Sequence, residues 1–152
     1  MRKTALVPLT VALVSVLGGC TSTTAPQVTA INEQIDELGL GELGDLKCNF
    51  TYEPGPFDQT GNRYLRQVVL DDEANAPKAI QALEDQGFEI QARSQVPHGE
   101  LVNLEGPKGM TAGVSTATAE AAGTVLPSDG LEDCPVPTNG LIVVGLSLPN
   151  NS

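Results

Sequence analysis

The stretch LVNLEGPKGMTAGVSTAT, residues 101–118, decides the fold class. Its centre, GPKG at 106–109, consists largely of the residues that tight turns favour. The flanking segments, 101–105 and 110–118, are rich in aliphatic and small side chains and predict two strands. Strands joined by so short a turn run antiparallel. The stretch therefore predicts a β-hairpin within an antiparallel sheet.

Four other segments predict strands. Residues 141–148, LIVVGLSL, are apolar enough for a strand inside the sheet. Residues 88–93 alternate between apolar and polar side chains, which places Phe88, Ile90 and Ala92 on one face. Segments 48–53 and 63–70 complete the set.

Two segments predict helices. In the first, Ile31, Ile35 and Leu38 recur at helical spacing, with Thr29 as the N-cap and Gly39 as the stop.

The second helix follows the acidic residues 71–73, has Pro77 in its first turn and ends at Gly87. Its apolar stripe consists of Ala76, Ala79, Ile80 and Leu83. The predicted fold class is α+β, with an antiparallel sheet of five to six strands and one or two helices packed on one face.

The charge of the chain excludes one class of partner. Residues 20–152 hold six basic residues against nineteen acidic ones, a difference of thirteen negative charges. An acidic surface repels nucleic-acid phosphates and anionic lipid headgroups alike. We therefore expect no nucleic-acid binding, and we expect any membrane attachment to use an inserted hydrophobic group.

Residues 1–19 predict a secretory signal. Arg2 and Lys3 form a positive end, residues 5–17 form an apolar run, and Gly18 and Gly19 follow it. The run is shorter than the roughly 20 residues that span a bilayer as a helix.

The end of this leader, Leu17-Gly18-Gly19-Cys20, resembles the lipobox of bacterial lipoproteins. The resemblance covers only the first twenty residues. It implies attachment of diacylglycerol to the sulfur of Cys20 and cleavage between Gly19 and Cys20, often with acylation of the new amino group. Two or three acyl chains anchor a protein stably, whereas one chain binds marginally.

The cysteine count agrees with this interpretation. The chain has three cysteines, and an odd thiol in an exported protein needs an explanation. Lipidation of Cys20 leaves Cys48 and Cys134, for which we predict a disulfide in an oxidising compartment. A metal site is the alternative, but two thiols and the distant His98 fall short of the four ligands of structural zinc.

These features divide the chain into four parts. Residues 1–19 are the signal peptide, 20–27 a lipidated tether, 28–149 a single extracytoplasmic domain and 150–152 a disordered tail. We expect the protein at the cell membrane, attached through acyl chains on Cys20 and facing away from the cytoplasm.

Two motifs match ligand-binding patterns, but the residues around them do not fit those patterns. Residues 39–44, GLGELG, match a dinucleotide-binding pattern, but they follow a helix and do not open another. Residues 71–75, DDEAN, suggest a calcium loop, but Ala76 and Ala82 occupy the positions of the required glycine and glutamate. We predict no cofactor, no metal and no catalytic residue.

Function remains open between three hypotheses. The first is a non-catalytic interaction role with an envelope protein, in which Phe57, in a Pro- and Gly-rich connection, is a candidate partner contact. The second is the binding of a small molecule or peptide in a pocket between helix and sheet. The third is a hydrolase with His98 as its base and Ser94 or Ser115 as a nucleophile.

We predict that Cys20→Ala leaves the leader uncleaved by the lipoprotein peptidase and abolishes acyl mass on the mature chain, because the variant lacks the acceptor sulfur. Mass spectrometry of the purified chain measures both effects. Acyl mass that persists in the variant would contradict the lipobox interpretation.

Overall fold

The computed structural model describes residues 25–55, 63–126, 131 and 133–149, and in these ranges the chain forms two α-helices and six strands. They are α1 (Pro26–Glu37), β1 (Leu46–Tyr52), β2 (Arg63–Asp71), α2 (Ala76–Asp85), β3 (Glu89–Val96), β4 (Gly99–Glu105), β5 (Thr111–Ala117) and β6 (Leu141–Pro149). The strands form one antiparallel sheet in the order β1-β2-β6-β5-β4-β3.

The predicted hairpin and central strand are both confirmed. Strands β4 and β5 pair from Leu101 opposite Ser115 to Glu105 opposite Thr111, around the predicted turn. Strand β6 pairs with β2 on one side and β5 on the other. Its residues Ile142 and Val144 are completely buried. The last strand of the chain therefore holds the two halves of the sheet together.

Both helices pack on the same face of the sheet, as predicted for this fold class. Ile31 and Ile35 of α1 and Ala79 and Leu83 of α2 belong to one hydrophobic cluster with the side chains of β2, β4, β5 and β6. The four residues are at most 6 % exposed. We call this side of the sheet the helix face.

The start of α1 differs from the prediction. The helix begins at Pro26 with Ala25 as its N-cap, so Gln27, which we assigned to the tether, is helical. Thr29 lies inside the first turn, and the prediction that it caps the helix is wrong. The reason is Pro26, whose fixed φ and missing N–H suit the first helical position. Gly39 does end the helix region, with a φ of 62°.

A β-bulge in β3 overturns the predicted alternation of this strand. Ile90 pairs with Leu104 and Ala92 pairs with Asn103, so Gln91 is an extra residue in the ladder. Leu104 and Asn103 are neighbours on β4 and face opposite sides of the sheet. Ile90 and Ala92 therefore also face opposite sides, and the prediction that they share a face is wrong.

A second hydrophobic cluster lies on the opposite side of the sheet, which we call the helix-free face. The connection from β5 to β6, residues 118–140, is called the covering segment. Its residues Ala121, Leu131 and Val136 pack against Val69 and Val143 of the sheet. The buried members of the two clusters among the described residues lie between Ile31 and Leu148.

The predicted disulfide joins the covering segment to the sheet. Cys48 of β1 is bonded to Cys134, with their Cα atoms 6.1 Å apart. Cys134 is 1 % exposed and belongs to the second cluster. The bond ties the first strand to the segment that precedes β6.

The GLGELG motif serves the packing of the chain. Its residues 40–42 form a 3₁₀ turn between α1 and β1. A Cβ at Gly44 would lie 2.6 Å from the carbonyl oxygen of Asp71, so this position requires glycine. The motif therefore has a structural explanation that involves no dinucleotide.

The acidic run at 71–75 also has local partners. The carboxylate of Asp71 accepts a hydrogen bond of 2.7 Å from the backbone N–H of Asp45 and lies 3.3 Å from the amine of Lys47. The backbone N–H of Asp45 is the main reason why the pKa of Asp71 is lowered, with a smaller contribution from Lys47. Any stability from this carboxylate is therefore present at neutral pH and lost as the pH falls through the lowered pKa.

Two further observations concern ligands and membranes. Among the residues described above, no group of three or more His, Cys, Asp or Glu side chains is placed to hold a metal ion. Nor does any helix in the described ranges combine the length and the apolar character that crossing a bilayer requires.

We predict that Cys48→Ala lowers the free energy of unfolding by about 4 to 5 kcal/mol, because the disulfide closes a loop across a sequence separation of 86 residues. Denaturant unfolding followed by circular dichroism measures the change. The unsubstituted protein under reducing conditions is the matched control, since it loses the same cross-link. A loss below about 1 kcal/mol in both samples would contradict the expected role of the bond.

Candidate functional site

The described residues of the covering segment shield part of the helix-free face. They pack over Val69, Leu141 and Val143, at one end of the central strands. Towards the other end the side chains of β5 and β6 become small, because Gly113 pairs with Gly145 and Thr111 pairs with Ser147. The face therefore changes from a covered part to an open part along the same two strands.

The covered part contains a cavity of about 470 Å³ between the sheet and the covering segment, which we call the covered cavity. Its walls are mostly aliphatic, and they include Val96, Leu101, Val125, Leu126, Leu131 and Val143. Val125 is 56 % exposed although it is a large apolar residue, and it lies at this cavity. The size is within the range of about 300 to 1,000 Å³ that is usual for small-ligand sites.

The open part forms a second cavity of about 440 Å³, which we call the trough. Gly113 and Gly145 form its floor, and Leu65 and Asn103 are among its walls. A Cβ at Gly113 would come no closer than 3.9 Å to Leu101 and 4.0 Å to Asn103, so there is free space above Gly113. At one end the hydroxyl groups of Thr111 and Ser147 lie 2.8 Å apart.

The covered cavity and the trough meet. Four residues line both of them: Gln67, Leu101, Ser115 and Val143. In the sheet Ser115 is paired with Val143 on one side and with Leu101 on the other, so these three side chains form one row across β4, β5 and β6. We call Ser115 the junction residue, because it is central in this row.

Gln67 contributes an unsatisfied polar atom to the same place. Its Oε1 is buried and has no hydrogen-bond partner among the described residues. Gln67 pairs with Phe50 on one side and with Gly145 on the other, and its Nε2 lies 3.8 Å from where a Cβ of Gly145 would be. A buried oxygen without a donor costs about 1 to 3 kcal/mol relative to a satisfied one. Gln67 therefore offers a bound molecule an acceptor.

His98 lies at the rim of the covered cavity. It belongs to the two-residue turn between Val96 and Gly99 and has a φ of 62°. Its backbone carbonyl accepts a hydrogen bond of 2.7 Å from the N–H of Thr118. The exposed imidazole forms no hydrogen bond or ion pair with any residue in the described part of the chain. Ser115 lines the same cavity, but the structure does not join the two as a nucleophile and its base.

Basic side chains stay out of both cavities. All six basic residues that follow the leader are in described ranges, and none of them lines the covered cavity or the trough: Lys47, Arg63, Arg66, Lys78, Arg93 and Lys108. Arg63 reaches the Thr111 end of the trough, where it donates to Ser147 Oγ and to the Gly109 carbonyl at 2.9 Å. Glu105 is the only acidic or basic side chain among the described residues that line the trough.

Our second hypothesis expected a pocket between helix and sheet, where the described side chains form one buried hydrophobic cluster. A smaller cavity of about 290 Å³ remains at the edge of the helix face, between α1 and strands β1 and β2. Arg66 lines it and donates a hydrogen bond to Asn32 of α1. The larger cavities are on the helix-free face.

The remaining predicted site residues do not belong to either large cavity or lie outside the described residues. Gly19, Cys20 and Phe57 lie outside the described residues, as does the tail at 150–152, so these predictions stay predictions. Cys48 and Cys134 come together as a disulfide that fixes the covering segment.

Gln67 and the glycine floor were not among the site residues predicted from the sequence. Their signals were a single polar residue between Leu65 and Val69 on one face of β2, and one glycine inside each of β5 and β6. Glycine in a strand interior often marks a close approach by a ligand or another backbone.

No protein-family model, no curated protein and no solved structure matches this chain. The case for a site therefore rests on the geometry of the helix-free face.

We predict that Gln67→Met raises the free energy of unfolding by about 1 kcal/mol, because it removes a buried acceptor without a donor and keeps a similar shape. Thermal or denaturant unfolding measures the change. Asn103→Leu, at an exposed position of the same cross-strand row, is the control and should change stability by less than about 0.5 kcal/mol. Destabilisation by Gln67→Met would mean that this oxygen has a partner in the free protein.

Proposed function

We propose that this protein is a non-catalytic binding lipoprotein of the cell envelope, anchored through Cys20 and facing away from the cytoplasm, whose binding surface is the helix-free face. The proposal combines the anchor that the sequence predicts with the site described above. Each part has its own support.

The anchor is supported by the leader and by the fate of the cysteines. The stretch Leu17 to Cys20 resembles a lipobox. Cys48 and Cys134 are paired with each other, which leaves Cys20 as the odd thiol. A disulfide also suits the oxidising compartment outside the cytoplasm.

The observation that carries the binding role is the covered cavity with the trough that opens from it. An aliphatic cavity of about 470 Å³ with a few polar groups at its edge has the composition of a small-ligand site. Water in such a cavity makes few hydrogen bonds, so an apolar group that displaces this water gains free energy.

The wall of the cavity is held in place before any ligand arrives. The disulfide at Cys134 ties the covering segment to β1. Backbone hydrogen bonds join Val136 to Thr124 and Gly123 at 2.8 and 2.9 Å. A site that is already formed loses less conformational entropy on binding than one that must be ordered.

The isolated imidazole of His98 supports a role without catalysis. A general base for hydrolysis needs a hydroxyl or a water to activate and a third group to orient it. In the described ranges His98 has neither a hydroxyl nor a carboxylate within hydrogen-bond distance.

We predict that the domain beginning at Thr21 binds N-phenyl-1-naphthylamine, an uncharged fluorescent amine, and that Ser115→Leu abolishes this binding. The larger side chain fills the junction of the covered cavity and the trough. Because the substitution removes no core side chain, it should destabilise the sheet less than the truncation of a buried residue would. A fluorescence titration measures binding, and a cooperative thermal transition verifies that both proteins are folded.

Ser94→Leu is the matched control. Ser94 pairs with Leu101 in the row that contains Ser115, but it is exposed on β3 and lines neither cavity. The control should bind the probe like the unsubstituted domain. Failure of the unsubstituted domain to bind, or equal binding by Ser115→Leu, would overturn the proposed binding surface.

A further inference from the structure

We propose that the ligand of the helix-free face is an uncharged amphiphile, with an aliphatic chain in the covered cavity and a hydrogen-bond donor in its head group that binds Gln67 Oε1. The inference rests on the proposed function and names the class of ligand for that site. Three observations lead to it.

The first observation is the chemistry of the covered cavity. The apolar residues that line it are valine, leucine and alanine, together with Pro97, and no phenylalanine or tyrosine is among its described lining residues. Sugar rings and nucleobases are usually held by stacking on aromatic side chains. Aliphatic walls lack this specific stacking geometry and suit an alkyl chain, whose affinity grows with the apolar area that leaves water.

The second observation is the unsatisfied oxygen at the edge of this cavity. Gln67 lines both the covered cavity and the trough, so its side chain lies where an alkyl chain in the cavity would meet a head group in the trough. This oxygen is buried and lacks a donor in the described part of the protein. A ligand N–H or O–H would satisfy it, and an ester or ether oxygen would not.

The third observation is the charge around the trough. None of the six basic residues after the leader lines either cavity. Arg63, at the trough's end, already donates to the oxygen atoms of Ser147, Gly109 and Thr111. An anionic head group would lose water without gaining a free cation, beside Glu105 and on a strongly acidic protein.

Two requirements therefore define the head group: it must donate a hydrogen bond to Gln67, and it must carry no negative charge. A carboxylate head group is ionised at neutral pH, so it can only accept hydrogen bonds and would be repelled, whereas an amide has an N–H donor and carries no charge. A neutral ester of the same chain keeps the apolar contacts but lacks the donor. Comparing these three head groups on one alkyl chain separates the contributions of the hydrogen bond, the charge and the apolar contacts to the affinity.

The test measures the displacement of N-phenyl-1-naphthylamine from the domain by decanamide, methyl decanoate and decanoate, each below its solubility and micelle limits. We expect decanamide to bind about three- to tenfold more tightly than methyl decanoate, because of the hydrogen bond to Gln67. Decanoate should bind at least about tenfold more weakly than decanamide, because its charge is desolvated without a partner.

The same series on Gln67→Met tests the role of Gln67. Decanamide should lose its advantage over methyl decanoate, while the affinity for methyl decanoate stays within about twofold. If the preference for the amide persists in this variant, Gln67 is not the acceptor. If decanoate binds as tightly as decanamide to the unsubstituted domain, the ligand is not restricted to uncharged molecules.

The outcomes also separate this inference from the proposed function. A domain that binds the fluorescent probe but releases it to none of the three alkyl compounds has the binding surface without the inferred ligand class. A domain that binds no probe lacks the binding surface itself.

Discussion

The structure depends on the pairing of β6 with β2 and β5 at the centre of the sheet. This strand comes last in the chain, and it pairs along Leu141–Pro149 with β2 and with all of β5. Towards the helix face its residues Ile142, Val144 and Leu146 are completely buried under the helices. On the helix-free face the sequence from Leu141 through Val143 and Gly145 to Ser147 becomes smaller and more polar. That gradient in side-chain size determines where the covering segment can pack and where the trough opens.

The covering segment joins two strands that are already neighbours. Ala117 at the end of β5 pairs with Leu141 at the start of β6, so a tight turn could connect them, but the chain instead packs on the helix-free face before β6 begins. Residues 118–140 make this connection, and Cys134 attaches it to β1 near the other edge. The second hydrophobic cluster forms beneath it.

Much of the fold could be predicted because its signals are local. The turn GPKG at 106–109 gave the hairpin, and the spacing of Ala79 and Leu83 gave the inner face of α2. The bulge at Gln91 could not be predicted, since the pattern of 88–93 fits regular alternation equally well, and the ladder with β4 decides where the extra residue lies. The prediction at Thr29 failed because two N-terminal signals, Thr29 and Pro26, compete within one turn of helix.

The site was harder to predict than the fold, for a physical reason. Gln67, Ser115 and Gly145 are distant in sequence and have ordinary roles in their own strands. They form a site only through the order β2-β6-β5 and through the placement of the covering segment. The disulfide was predictable from the count of cysteines, but the cavity that it helps to enclose was not.

The central claim is that the helix-free face, and not the helix face, binds an apolar ligand. Its most direct test is a methyl chemical-shift titration of the domain with N-phenyl-1-naphthylamine by NMR. We expect saturable shifts at Leu101, Val125 and Val143, which line the covered cavity, and unchanged methyl signals at Ile35 and Leu83 on the helix face. Shifts confined to Ile35 and Leu83, or none at the three cavity residues, would contradict the account.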